Sequence, residues 1–556
     1  MQANVDNFTV SREAQDHAFL LSRLRQRVAE HPDRAALVAG DQRLSYAELW
    51  ARIDRIGQAL AQRIQPGDRV ALVMDNGTDC VSAPYGIWWA GGVVVALNNA
   101  LKLHDLAALV AQCGAALVLT DHSVAGLPEA LAANAANAAR ATEAAGTAET
   151  AEATTATPAL AMTVAELTAE AMASAAITAA DAVSPRQRRP GDTAALIFTS
   201  GTTGQPKGVM LSHANLAANV AAVQHTLPMR PDDITLCVLP FHYAYGGSVL
   251  HTHLTLGATL VLENSLMYPQ RIVTRMAECE VTAFYGVPSS FYLLMARGHL
   301  SATPLPRLRY LAQAGAAMAP ARIEELRQLL PQAPLWLMYG QTEACSRLTT
   351  LSPTDHADRP GSAGRALPGV TLAILDANGG PLPAGERGEV CARGPNVMQG
   401  YWASPTDTAA VLQDGWLRTG DIGHLDGDGF LYLHGRSRDI LKIGAHRVAP
   451  QEIEHAVQGV AGVQECAVLA MPDALLGEVP RACVIPAPGH APSDALKRDI
   501  LRACREQLAL YKCPKQVDFF DAFPRTASGK VQKHLIAEGT RQASHHIPKL
   551  SPPEAP

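Results

Sequence analysis

The run Thr199-Ser200-Gly201-Thr202-Thr203-Gly204-Gln205-Pro206-Lys207-Gly208 packs four hydroxyls, three glycines and one ammonium into ten residues. Glycine removes the side chain that would keep a ligand off the backbone, so N–H groups can approach an anion closely. The hydroxyls and Lys207 add donors around the same point. This donor density suits a chain of phosphates better than it suits a flexible polar turn. A Walker A loop would need Gly-Lys followed by Ser or Thr. Here Pro206 precedes the lysine and Gly208 follows it, so a P-loop NTPase is set aside.

A phosphate loop needs a firm stem, and the apolar run Ala194 to Phe198 just upstream reads as a strand. Residues 20–125 alternate helical and strand-like patterns. Ser45 with Glu48 three residues on reads as a capping box opening a helix, and Arg69–Met74 and Val93–Leu97 read as strands. The alternation resumes at Thr193 and continues to about residue 350, which favours a parallel sheet covered on both faces. Residues 370–435 look β-rich, with Gly/Asp turns such as Asp426-Gly427-Asp428-Gly429. The fold class expected is α/β: a large N-terminal α/β domain with parallel-rich sheets and a β-rich subdomain, then a small C-terminal α/β domain. The boundaries expected are 1–438, 439–540 and a disordered tail at 541–556. Between about 126 and 190 the composition turns Ala-, Thr- and Glu-rich. That stretch reads as an expanded loop inserted in the first domain. Its low-complexity parts, such as Ala132 to Thr157, hold no large apolar residue, could form a surface helix or stay disordered, and cannot supply a core.

Composition narrows the functional classes. The 556 residues carry a formal net charge of −6, against the basic surface that non-specific nucleic-acid binding requires. Ten cysteines lie without CxxC pairs or metal-type spacing and read as reduced, mostly buried thiols. The polar N-terminus has no basic region followed by an apolar one, and no apolar run approaches the roughly 18 residues that span a bilayer. A cytoplasmic protein without a transmembrane segment is expected.

The loop TSGTTGQPKG resembles the phosphate signature of the adenylate-forming superfamily: acyl-CoA synthetases, peptide-synthetase adenylation domains and luciferases. Further motifs come in that family's order from about Leu44 to Lys533. The resemblance implies that Thr199, Ser200, Gly201, Thr202, Thr203, Gly204 and Lys207 bind nucleotide phosphates. Tyr339-Gly340-Gln341-Thr342-Glu343 resembles the second signature, implying a phosphate contact for Thr342 and Mg²⁺ for Glu343, a hard-cation ligand. Ala314, Gly315 and Ala316, in a small-residue run, fall where the family seats adenine. Asp421 and Arg436 fall where it holds the ribose and adds an arginine. Asp439 falls at its hinge, and Lys530 in PRTASGK at the lysine that serves adenylation.

The resemblance therefore implies attack of a carboxylate on Mg·ATP to give acyl-AMP and pyrophosphate. The small domain then rotates about Asp439, and a thiol displaces AMP. The shared obstacle is repulsion between two anions, which a fixed ammonium between them offsets. His242 and Tyr243 fall at the mouth of the acid pocket, with Gly246 and Gly247 leaving room beyond and Tyr285 and Gly286 on a second wall. Amino-acid-activating relatives tend to place an Asp where Tyr243 stands, which argues against an α-amino acid substrate. Two thiols remain open, coenzyme A and the phosphopantetheine of a carrier protein acting in trans. The short stretch between Glu343 and Gly385 favours coenzyme A, whereas Gly444-Ala445 departs from the more usual Gly-Gly. A degenerate nucleotide-binding regulator is the alternative of another class. The joint presence of Glu343, Asp421, Arg436 and Lys530 speaks against it.

Overall fold

A computed structural model describes residues 19–144, 159–173, 184–186, 188–199, 206–436, 441–443, 446–448, 450–473, 477–525, 531–533 and 535–537. The chain divides into two compact units. The first comprises residues 1–315, 326–373 and 391–419, and the second 316–325, 374–390 and 420–556.

In the first unit, helix α1 (Leu20–Glu30) leads into strands β1 (Ala35–Ala39) and β2 (Gln42–Ser45), then α2 (Tyr46–Ala61). The capping box read from sequence is formed: Ser45 Oγ accepts from the Glu48 N–H at 3.2 Å and Glu48 Oε2 from the Ser45 N–H at 2.7 Å. Next come β3 (Arg69–Val73), α3 (Thr78–Trp89), β4 (Val93–Leu97), α4 (Leu103–Cys113) and β5 (Ala115–Thr120). α2 and α3 cross closely, because glycines stand at the contact. A Cβ on Gly57 would lie 2.5 Å from the Trp89 ring, and one on Gly86 2.5 Å from Ile56.

Within the Ala-rich stretch, residues 126–144 and 159–173 are described. Its flanks fold as α5 (Leu127–Ala144), β6 (Leu160–Thr163) and α6 (Val164–Ala173), and β6 pairs in parallel with β5. Leu127, Leu131, Met162, Val164, Leu167 and Ala171 are buried. The few apolar residues of this stretch sit at core-facing positions, a fact that mean composition hides. Downstream, Arg186 donates to the Ala61 and Ile64 carbonyls at 2.7 and 2.8 Å.

β7 (Thr193–Thr199) and β8 (Lys207–Ser212) form an antiparallel hairpin in which Thr199 faces Lys207. The first sheet runs β8-β7-β4-β3-β5-β6, parallel apart from that hairpin and the short strand Gly400–Tyr401 on β8. After α7 (His213–Thr226) come β9 (Ile234–Cys237), α8 (Ala244–Leu256), β10 (Thr259–Leu262), β11 (Ala283–Gly286), β12 (Tyr310–Gln313), β13 (Leu335–Tyr339), β14 (Thr349–Leu351) and β15 (Ser362–Ala366). The second sheet runs β15-β14-β13-β12-β11-β9-β10-β1-β2 within this unit, with a parallel centre from β13 to β1. α7 and α8 bury His213, His251 and His253 beside Trp88, Tyr85 and Tyr285.

In the second unit, the strand Trp416–Leu425, from Gly420 onward, pairs antiparallel with Leu431–Arg436. The C-terminal sheet runs 446–448, 441–443, 477–486, 463–473, with Gln516–Phe519 parallel to 477–486. Helices Pro450–Gln458 and Asp494–Gln507 bury Ile453, Val457 and Ile500 in its core. The compact division falls after residue 419. The 420–436 hairpin belongs with the C-terminal sheet and its helices: Gly435 backs directly onto Gln451, and Arg387 pairs with Glu452 at 3.3 Å. The tail at 541–556 lies outside the described residues. Among those described, no helix is long and apolar enough to cross a membrane. All ten cysteines are free and nine are buried.

Two measurements of stability check this packing. Gly57→Ala should lower the denaturant midpoint by the equivalent of about 1–3 kcal/mol. Overpacking against the buried Trp89 outweighs the roughly 1 kcal/mol of helix propensity gained. Burial holds His213 and His253 down at about 4 and His251 at about 3. Because the folded values lie below the unfolded value near 6.5, the unfolded chain binds more protons on acidification. Stability is thus full above about pH 6.5 and falls progressively toward pH 4. Thermal unfolding at pH 7 and pH 5 should show a lower midpoint at pH 5.

Candidate active site

The β7–β8 hairpin shows what the stem of the phosphate loop is. Thr199 and Lys207 are paired across it, and the residues between, Ser200 to Gln205, lie outside the described ones. A strand, not a helix, comes after the loop, which agrees with setting the Walker A reading aside. Lys207 Nζ is held 2.5 Å from Asp407 Oδ1 and 5.3 Å from the centroid of the Tyr401 ring.

Tyr401 connects that lysine to the second motif, since its hydroxyl donates to Glu343 Oε1 at 2.9 Å. Glu343 and Thr342 stand on one turn of 3-10 helix, Thr342–Ala344, directly after β13. The turn is tight and strained. Gly340 lies against the Ser346 backbone so closely that no Cβ fits, and Cys345 and Ser346 take the left-handed region at φ 52° and 77°. The Glu343 carbonyl accepts from the Met398 N–H at 2.8 Å, and Asn396 Nδ2 donates to the Ala344 and Arg347 carbonyls at 3.2 and 2.8 Å. Gln341 Nε2 is buried without a partner, a donor ready for a ligand. Beneath the turn, the fully buried Arg347 guanidinium lies 4.2 Å from the Tyr245 ring. It donates to the Ser346 carbonyl and Oγ at 3.1 and 3.2 Å. Tyr401, Asp407, Asn396 and Arg347 escaped the sequence reading. Their only signals are a Gly-Tyr pair and single polar residues whose partners lie far away in sequence.

At the end of β12, Ala314 is buried and its N–H donates to the Gly286 carbonyl at 3.3 Å. Gly315 has φ +97°, and a Cβ there would stand 3.1 Å from Val287. The backbone is therefore bare at this point, which is what a flat base needs. Ala316 opens the second unit. In that unit Asp421 and Arg436 face one another in register across the hairpin, with Arg436 Nε 3.2 Å from Asp421 Oδ1. Two residues picked separately from sequence are thus brought together by strand pairing. The Gly420 N–H donates to Glu389 Oε1 at 3.2 Å. Asp439 and Lys530 lie outside the described residues. Arg525 and Val531 form an antiparallel bridge, and Arg525 forms an ion pair with Glu465.

The pocket residues separate into two groups. His242 and Gly247 line a cavity of about 70 Å³ in the first unit, with Trp88, Asn219, Phe241 and Cys345 among the other walls. Burial holds the His242 imidazole at about 4, so it is neutral near pH 7, and its Nε2 has no partner. Its loop is pinned by Asn76, which accepts from the Phe241 N–H at 3.0 Å and donates to the Leu239 carbonyl at 2.8 Å. Gly246, expected to leave room, does not line this cavity. It sits where the first turn of α8 meets the Pro240 carbonyl and no side chain fits. Tyr243 packs against His242 from outside the lining, the two rings tilted by 57° with centroids 4.2 Å apart. Tyr285 is buried behind it, its hydroxyl 2.9 Å from that of Tyr310, and Gly286 packs on Phe291 and Ser290.

Residues 24–402 match the AMP-binding enzyme family and residues 452–530 the AMP-binding enzyme C-terminal domain. The chain is 33% identical over 511 residues to a feruloyl-CoA synthase of Amycolatopsis sp, spanning 91% of this chain and 96% of the relative. Its fold superposes on an anthranilate CoA ligase, AuaEII, in complex with anthranoyl-AMP. The TM-score is 0.82 at 25% identity, covering 95% of this chain and 98% of that one. It superposes also on the o-succinylbenzoate coenzyme A synthetase MenE from Bacillus subtilis in complex with ATP and magnesium ion. There the TM-score is 0.76 at 28% identity, covering 93% and 99%. With both domain matches and full-length likeness to such enzymes, the chain belongs to the AMP-binding enzyme family, among its acyl-CoA synthetase-like, adenylate-forming members.

Proposed function

We propose that the protein activates a carboxylic acid with Mg·ATP, releases pyrophosphate, and passes the acyl group from AMP to coenzyme A. The observation that carries this reading is the turn after β13. It carries Thr342 and Glu343 at consecutive positions of one 3-10 turn, with the Tyr401 hydroxyl fixing one Glu343 carboxylate oxygen. A single carboxylate beside phosphate-binding groups fits Mg²⁺, which takes few protein ligands and keeps waters and phosphate oxygens. When bound, Mg²⁺ neutralises charge on the triphosphate.

The remaining work falls to the chain's own groups. Asp421 accepts from the ribose hydroxyls, and Arg436 supplies a cation to the same nucleotide. Ala314, Gly315 and Ala316 give the base a bare backbone to lie on. The neutral His242 borders the acid carboxylate without drawing a second charge into the pocket. One carboxylate oxygen attacks the α-phosphorus as the bond to the pyrophosphate oxygen breaks, and Lys530 stands between the two anions. In the second step the thiol sulfur attacks the acyl carbon, and AMP leaves with the electron pair of the acyl–oxygen bond.

Pyrophosphate release across a panel of acids, followed by thioester formation with coenzyme A or a phosphopantetheinyl carrier protein, tests the whole reading. Release should depend on an acid, and coenzyme A should accept the product. Lys530→Ala should slow pyrophosphate release about 100- to 1000-fold while sparing thioester formation from supplied acyl-adenylate. Equal losses in both half-reactions would remove the assigned role. Glu343→Gln should raise the Mg²⁺ concentration needed for half-maximal rate. Tyr401→Phe should shift it in the same direction by about tenfold, the worth of one hydrogen bond to a charged group. A magnesium titration of both variants decides it.

A further inference from the structure

The cavity bordered by His242 is almost wholly apolar, with Trp88, Phe241, Leu250 and Val220 among its walls. No Asp, Glu, Lys or Arg lines it among the described residues. The polar residues of its wall are Asn219, His242, Ser248 and His251. Asn219, on α7, is 2% exposed. Asn219 Oδ1 accepts from Ser248 Oγ at 3.4 Å, whereas Asn219 Nδ2 has no partner among the described residues. The neighbouring polar groups do not reach it. His251 Nδ1 is engaged 3.0 Å from the Tyr85 hydroxyl, and the Thr252 hydroxyl donates to the Ser248 and Val249 carbonyls at 2.8 and 3.1 Å.

A buried amide N–H₂ without a partner costs stability unless something that enters the site accepts from it. A charged tail is excluded on electrostatic grounds. Both wall imidazoles are neutral, and no counter-charge is present among the described residues to offset desolvation. A plain hydrocarbon tail would fill the space and leave Asn219 Nδ2 unpaired. We propose that the cavity selects acids whose tail carries an uncharged oxygen, as hydroxyl, keto or ether, which accepts from Asn219. A hydroxyl also suits the carboxamide turned about its axis, in which case it would donate to Asn219 Oδ1. The proposal rests on reading this cavity as the acid's tail pocket and adds the chemical class of that tail.

The test uses matched acid pairs, a medium-chain or aryl acid and its counterpart with one hydroxyl or keto group at successive positions. kcat/KM for pyrophosphate release is measured with the full-length enzyme. At one position the oxygenated acid should be preferred about 10- to 100-fold, the worth of pairing an otherwise unsatisfied buried donor. Asn219→Leu should collapse that ratio toward one or invert it. Asn219→Ser, too short to reach across the cavity, should do the same if the leucine variant does not fold. A wild-type enzyme that prefers the unsubstituted acid at every position, or a ratio unchanged in both variants, would overturn the proposal. Thermal stabilisation of the wild-type protein by the same pairs keeps the two readings apart. If no acid releases pyrophosphate, the adenylation reading fails. Oxygen-dependent stabilisation lost in Asn219→Ser would still support the tail class, and equal stabilisation by both members of every pair would refute it.

Discussion

A guanidinium with no carboxylate beside it holds the site together. Arg347 is fully buried, and no acidic partner occurs for it among the described residues. Its charge is offset by the Tyr245 face, by the Ser346 carbonyl and hydroxyl, and by Met338 Sδ at 3.2 Å. Such a cation is stable only if every neighbour keeps its place, since desolvating a charge costs several kcal/mol when the partners are imperfect. Those neighbours are the structural members of the site. Tyr245 opens α8 at the acid cavity and donates to the Ala312 and Gly286 carbonyls at 3.1 and 3.4 Å. Ser346 ends the strained turn that presents Thr342 and Glu343. One buried charge thus ties the ends of β11, β12 and β13 to the helix that lines the cavity.

The electrostatics of the cavity are the opposite. Around the cavity, burial keeps His242 and His251 uncharged, and no Asp, Glu, Lys or Arg lines it among the described residues. The chemistry brings a carboxylate up to a triphosphate, so fixed charge is most useful at the reacting atoms and least useful along the tail. A neutral wall leaves the tail's shape and hydrogen bonding to decide which acid enters, while the motif residues handle charge. Differences of one methylene would be discriminated only modestly by such a wall. A buried polar atom can discriminate far more strongly, because the wrong ligand leaves it unpaired.

Much of the reaction chemistry was legible in the sequence, because phosphate loops, tight turns and metal carboxylates demand particular residue types in short runs. TSGTTGQPKG, YGQTE and the Asp421 and Arg436 segments each state their requirement locally. The Ser45–Glu48 capping box was legible for the same reason, as a contact spanning three residues. At the ends of the Ala-rich stretch, mean composition conceals the spacing of Leu127, Leu131, Met162 and Leu167, and spacing is what buries a face.

What the sequence determined by itself was the family, the α/β class and the candidates for the groups that would meet ATP. Tertiary structure alone decided which of the residues near His242 line the cavity. Gly246 and Gly247 are adjacent and identical, yet one meets the Pro240 carbonyl and the other lines the cavity. Tyr401 meets Glu343, Asp407 meets Lys207 and Asn219 meets the cavity only because distant segments are packed together. The physical reason is range. Backbone conformation and anion binding are set by neighbours in sequence, whereas desolvation and side-chain pairing depend on atoms that only the folded chain brings within reach.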